Sequence, residues 1–217
     1  MIIIFDAFKI KIHQTFNIIK QMKTDLLGTN SFFIDEKVNF FKFENAYQIY
    51  NDQGHIIGYV KQKLTSGQKM LRLILSKTML PFLIEIRNAD DELVATIIRG
   101  WTFLISRVNV LDALGNDIGT IQQQFKLIKP TLNVFNSTGT LNAKITGDWK
   151  GWNFVINNIS GSQIGIITKK WNGVMKEIFT TADKYNLTVD PIYSSKEHKI
   201  VLLASAISID MIFKEKE

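Results

Sequence analysis

Five turns of one style punctuate the middle of this chain, and they constrain its fold more than any other feature. Each opens on Asn or Asp and four of the five close on Gly: Asn51-Asp52-Gln53-Gly54, Asn88-Ala89-Asp90-Asp91, Asp112-Ala113-Leu114-Gly115, Asn136-Ser137-Thr138-Gly139 and Asn158-Ile159-Ser160-Gly161. The spacing of Gly115, Gly139 and Gly161 leaves room for two strands and two turns between successive glycines. Turns this short join antiparallel neighbours, because a helical crossover needs about a dozen residues.

The segments between the turns alternate with period two. Phe41, Phe43, Tyr47 and Ile49 fall on one face, as do Phe82, Ile84 and Ile86, then Leu141, Ala143 and Ile145, then Trp152, Phe154 and Ile156, with polar residues between them. One face of each strand is therefore buried and the other wet. About ten such strands in series make a meander, and closing it into a barrel removes the edges that invite aggregation. With 46% hydrophobic and 21% charged residues the chain can build a packed core.

Two stretches break the pattern. Phe8, Ile12, Phe16, Ile19, Met22 and Leu26 make a helical stripe, read as a helical segment over residues 1–30 that packs on the barrel. Lys9-Ile10-Lys11-Ile12 also alternates like a strand, and Lys9, Lys11, Lys20 and Lys23 would equally suit a membrane-surface helix. The second stretch starts at Ser194 and Glu197, which have capping-box spacing. From Ile200 to Phe213 it is apolar all round apart from Ser205, Ser208 and Asp210. A helix without a polar face must be buried in protein or lipid. Those residues rise about 21 Å, short of a hydrocarbon core of roughly 30 Å. The expectation is a helix over about 195–213 inside a barrel that occupies residues 31–217.

The C-terminal residues also carry a resemblance. Trp171, Gly173, Glu177, Phe179, Thr180, Ala182, Asp183, Tyr185, Ile209 and Asp210 stand in an order and spacing that resembles the C-terminal part of phospholipid scramblases. The upstream hairpins are similar to the wider group of scramblases, LURP-one-related proteins and tubby C-terminal domains. The resemblance implies a mainly β fold, a closed antiparallel barrel of about twelve strands wrapped around the hydrophobic C-terminal helix. It also implies a calcium segment, where this chain departs from the family: Thr181 stands at the first acidic position, and Asp183, Asn186 and Asp190 are the remaining oxygen donors. Calcium takes six to eight oxygens, so no cofactor is expected. A proline-rich N-terminal tail and a palmitoylated cysteine cluster, found in animal scramblases, have no counterpart here.

The chemistry of the side chains gives no enzyme. There is no cysteine, and His13, His55 and His198 fall in unrelated segments. No nucleophile-elbow, zinc-protease, phosphate-loop or dinucleotide motif is present. The net charge of +6 favours anionic partners, while the absence of any block of like charge argues against nucleic acid. Met1 to Phe5 is apolar, but Asp6 ends the run and no basic region precedes it, so a cytoplasmic protein is expected. Of the four tryptophans, Trp152 and Trp171 are read as core, and Trp101 and Trp149 as partly buried. Trp149 and Lys150, with Lys169, Lys170 and Lys176, form the candidate lipid-binding set.

The function expected is a peripheral module that binds anionic phospholipid at a membrane surface. Scrambling is not expected of it, because moving headgroups needs a polar path through the bilayer. The alternative is a non-catalytic barrel scaffold for a small molecule or protein.

Overall fold

A computed structural model of the chain describes residues 25–37, 46–63, 79–124, 131–148, 151–169, 184–193 and 195–213. Twelve strands run in chain order: β1 (Ser31–Lys37), β2 (Ala46–Tyr50), β3 (Ile56–Lys63), β4 (Phe82–Asn88), β5 (Leu93–Arg99), β6 (Arg107–Asp112), β7 (Asp117–Gln124), β8 (Thr131–Asn136), β9 (Leu141–Asp148), β10 (Asn153–Asn158), β11 (Gln163–Thr168) and β12 (Lys184–Val189). Each pairs antiparallel with its chain neighbours, and β1 pairs with β12 to close the barrel. Helix α1 (Lys196–Phe213) fills the lumen.

The five turns share one construction, and all lie at the same end of the barrel. The first residue donates its backbone N–H to the residue four ahead, and the fourth residue donates back to it, as in Asn136 N to Thr140 O at 2.9 Å and Gly139 N to Asn136 O at 3.0 Å. The side chain of the opening Asn or Asp also accepts from the fifth residue, at 2.8–2.9 Å in all five turns. The fourth residue has positive φ: 79°, 88°, 78° and 86° at Gly54, Gly115, Gly139 and Gly161, and 64° at Asp91. Such a residue ends a type I turn in a bulge, and the register slips by one beside every turn.

The register exposes a second half of the repeat. Four residues after each positive-φ residue comes a small inward-facing one: Gly58, Ala95, Gly119, Ala143 and Gly165. Its cross-strand partner is always a buried β-branched residue, respectively Ile49, Ile86, Val110, Val134 and Ile156. Five small–large pairs thus line the lumen where the helix enters. A Cβ on Gly119 would lie 3.1 Å from Val201 Cγ2 of α1 and 2.9 Å from Phe135 O, so helix and wall meet there at backbone distance.

The inward sets read from period two are in place at Phe82, Ile84 and Ile86, at Ala143 and Ile145, and at Phe154 and Ile156, all buried, whereas Leu141, beyond the bulge and opposite Phe135, is half-buried. Tyr47 and Ile49 are buried as well, whereas Phe41 and Phe43 lie outside the described residues. The outward positions Lys61, Glu85, Arg87, Asn109, Asn133 and Lys144 are polar. The outward pairs Leu83–Ile98 and Val155–Ile166 are apolar exceptions, and a lumen more apolar than the wall is the inverse of a transmembrane barrel.

Helix α1 is about 27 Å long and buried from Lys199 to Phe213. Two of its buried polar residues are satisfied: Ser205 Oγ donates to Val201 O at 2.7 Å, and Tyr47 Oη donates to Asp210 Oδ2 at 2.7 Å, while Ser208 Oγ finds no partner among the described residues. Its N-cap is Ser195, whose Oγ accepts from His198 N at 3.2 Å, one residue later than the capping-box spacing at Ser194 suggests. Ser194 lies outside the described residues.

Of the expected N-terminal helical segment 1–30, residues 1–24 lie outside the described residues. Residues 25–30 are not helical. Asp25 Oδ1 accepts from Leu27 N at 3.0 Å and Asp25 O from Gly28 N at 3.2 Å, a local turn that competes with helix. This turn caps the barrel: Leu26 packs against Gly58, and Leu27 O accepts from Lys199 Nζ at 2.8 Å. Burial there pushes the Lys199 ammonium below its ordinary pKa, partly offset by Asp25.

Candidate functional site: the long-loop end of the barrel

The end opposite the turns is where β1–β2, β3–β4, β5–β6, β7–β8, β9–β10 and β11–β12 connect. The predicted lipid-binding residues fall in the last two connections. Lys169 is described; Trp149, Lys150, Lys170 and Lys176 lie outside the described residues.

Lys169 follows β11 and its Nζ stands 4.8 Å from the ring centroid of Trp152. That ring stacks on Tyr185 at 4.9 Å and 29°, and meets Phe154 edge-on at 6.2 Å. Backbone crowding sets the arrangement. Trp152 takes φ 45° to complete the tight β9–β10 link, and Gly147, opposite Phe154, has no room for a Cβ, which would fall 2.2 Å from Asn153 O. The strained residue swings a large ring over the barrel mouth, and the ring's π face holds the lysine by its rim. Trp152 is therefore core, as its alternation implies, and Lys169 is a positioned charge.

Arg99, the last residue of β5, is a buried structural cation. Its Nη2 donates to Leu80 O at 2.7 Å and its guanidinium lies 4.4 Å from the Phe82 ring centroid. Beyond it the β5–β6 connection, residues 100–106, projects outward. Trp101, Phe103, Leu104 and Ile105 are 54%, 78%, 83% and 45% exposed. Trp101 is thus more open than the partly buried position expected for it, because the strand ends at Arg99 and the loop beyond it stands exposed. The base of the loop is tied down: Thr102 N donates to Met79 O at 3.1 Å, and Gln123 N to Ser106 O at 2.8 Å. Arg107 follows, exposed and without a carboxylate partner among the described residues.

The two ends differ in charge. The turn end carries Asp52, Asp90, Glu92, Asp112, Asp117 and Asp190 among its acids, with Lys196 and Lys199 as the bases of the helix entry. Asp91, on the same end, is paired with Lys61 at 2.5 Å; that hydrogen bond holds its carboxyl below the usual range. The long-loop end presents Arg107 and Lys169, with Lys63 paired to Glu85 at 3.6 Å and Asp148 as an exposed acid at the end of β9. In sequence, the chain connections at that end contain Lys69, Arg72, Lys126, Lys129, Lys150 and Lys170 among their bases, against Glu44, Glu177 and Asp183 alone.

Of the calcium segment, Asn186 and Asp190 are described and stand apart. Asn186 lies within β12, its Nδ2 donating to Thr188 Oγ1 at 3.2 Å. Asp190 follows the strand, four residues or about 13 Å further on, and its Oδ1 accepts from Ile192 N at 2.9 Å. Asp183 lies outside the described residues, among which no three acids or histidines cluster as a metal site would need. At the turn end, a cleft between α1 and the β8–β9 hairpin, lined by Val134, Phe135, Tyr193, His198, Val201 and Leu202, has about 50 Å³ of interior. That suits one or two waters rather than a ligand, for which pockets run about 300–1,000 Å³.

Among known proteins, curated sequences give no match. A protein of Arabidopsis thaliana with a known crystal structure aligns with 60% of this chain and 86% of its own at 13% identity, but its TM-score of 0.31 is too low to carry any argument. The Scramblase family matches residues 7–216, which takes in every strand of the barrel and the helix within it. The chain belongs to the Scramblase family.

Proposed function

We propose that the protein is a peripheral membrane module whose long-loop end docks on anionic phospholipid. The observation that carries this reading is the charge asymmetry: most of the described acids gather at the turn end, while Arg107, Lys169 and connections richer in bases than acids gather at the other. A negatively charged surface would attract one end and repel the other, so the field orients the barrel before contact. Family membership supports a role at lipids. Trp149, Lys150, Lys170 and Lys176 remain in the proposed lipid-facing set with Lys169. The barrel docks as a whole rather than spanning. No helix among the described residues is long and apolar enough to cross a membrane, and the polar wall does not suit a bilayer interior.

Co-sedimentation with vesicles of phosphatidylcholine, with and without phosphatidylserine, tests the reading across a salt series. Binding should require the anionic lipid and weaken as salt rises. Arg107→Glu should weaken it by about tenfold, given about 1 kcal/mol per basic residue near the surface, while Lys196→Glu at the turn end should not. Equal loss in both variants would refute the orientation.

A further inference from the structure

We infer that the β5–β6 loop is a wedge that enters the bilayer interface, with Phe103 and Leu104 at its tip. The inference rests on the lipid reading above and adds to it the part of the molecule that penetrates. Four bulky apolar side chains in five consecutive positions, Trp101, Phe103, Leu104 and Ile105 around Thr102, stand exposed at one loop. Monomeric proteins scatter exposed apolar residues singly, and a contiguous exposed run marks a contact surface. The run is presented rather than collapsed, because hydrogen bonds from Thr102 to Met79 and from Gln123 to Ser106 hold its base against the wall.

A lipid surface fits this run better than a protein groove because of what surrounds it. From Gly100 to Arg107 there is no acid, and the loop leads directly into Arg107, which has no carboxylate partner among the described residues. Asp52, Asp90, Glu92, Asp112, Asp117 and Asp190, which an anionic surface would repel, are at the far end of the barrel, and Asp148 is the exposed acid at the near end among the described residues. The chemistry is layered as an interface requires: Trp101 suits the headgroup level, Phe103 and Leu104 the acyl boundary, and Arg107 the phosphates. Reach sets the depth. A loop of this length extends at most about 13 Å beyond the strand ends, which allows interfacial insertion of about 5–10 Å and falls short of a hydrocarbon core of roughly 30 Å.

The test uses the full chain, the Phe103→Ser/Leu104→Ser double variant and Trp101→Phe, with vesicles containing phosphatidylserine. The double variant should fold as the parent does, since both side chains are exposed, and its partitioning should fall by about tenfold or more. Lipids brominated near the glycerol end of the acyl chain should quench the parent's fluorescence, and Trp101→Phe should lose most of that quenching. If the parent binds and the double variant binds equally well, the wedge is wrong and the lipid reading stands. If the parent binds no vesicle, the lipid reading itself fails and takes the wedge with it. If the double variant loses self-association in solution and keeps its vesicle binding, the loop is a protein contact and the inference is overturned.

Discussion

Replacing Gly119 by Ala adds a single methyl group where β7 and α1 meet, and the consequence can be worked from distances. The new Cβ would lie 2.9 Å from Phe135 O, a backbone atom fixed by the β7–β8 ladder, and 3.1 and 3.2 Å from the two γ carbons of Val201. Neither neighbour yields freely, since one belongs to the sheet and the other to a helix enclosed by it. Overpacking of this kind costs about 1–3 kcal/mol, and the preference of a strand for Ala over Gly returns about 0.5–1 kcal/mol. The net expectation is a loss of about 1–2 kcal/mol, or roughly 2–8 °C in Tm for a chain of this size. Thermal and urea unfolding followed by circular dichroism would measure it. Val201→Ala should be less costly in the Gly119→Ala background than alone, with coupling of about 0.5–1.5 kcal/mol. An unchanged or raised Tm in Gly119→Ala, or additive effects in the pair, would refute the claim that small residues in the ring admit the helix.

Three further outcomes follow from the turns. Gly139→Ala should cost about 1–2 kcal/mol from conformation alone, because φ is 78° and nothing lies within 4 Å of the added methyl, while Asp91→Gly should be neutral or stabilising; unfolding midpoints check both. Asp112 is held below its usual pKa of 3.8 first by the Asn116 side chain and then by backbone N–H groups, so its contribution is present above that value and lost as pH falls through the lower folded one. Asp112→Asn removes this titration, so the parent should lose more Tm than the variant on acidification; parallel pH profiles would count against it. Asn158 accepts from Ser162 N at 2.9 Å and Ser160 Oγ at 2.7 Å and donates to Tyr193 Oη, which ties a turn to the helix entry. Asn158→Ala should cost about 1–3 kcal/mol and couple to Tyr193→Phe in a double-mutant cycle, whereas Asn136→Ala should show no such coupling.

The barrel was legible because its signals are local. Period two at Phe82–Ile86 and Phe154–Ile156 assigns faces without any knowledge of partners, and an 18-residue helix lacking a polar side has only one place to go. Signals that depend on register were not legible. Gly58, Gly119 and Gly165 look like ordinary glycines in strands until their partners Ile49, Val110 and Ile156 are known. The Lys169–Trp152 contact likewise appears only once β10 and β11 are aligned. The run from Trp101 to Ile105 reads like part of a buried strand, since a short apolar run carries no mark of its exposure. What exposes it is the end of β5 at Arg99, fixed by a buried hydrogen bond to Leu80 that no local pattern announces. The helix cap shifted by one residue because Ser194 and Ser195 have equal propensity, and the geometry chose the second.

The helix that fills the barrel follows all twelve strands in the chain, which sets the order of biosynthesis against the order of burial. As the ribosome delivers the wall, Phe82, Ile84, Val110 and the rest of the inner face have nothing to pack on, and β1 waits for a partner that emerges about 150 residues later. Every hairpin can form locally as it appears, because its turn is self-contained, yet none can bury its apolar side. The nascent barrel is therefore an open, sticky sheet until residues 196–213 are released, and its yield in a cell should depend more on chaperone capacity during that interval than on the stability of the finished fold.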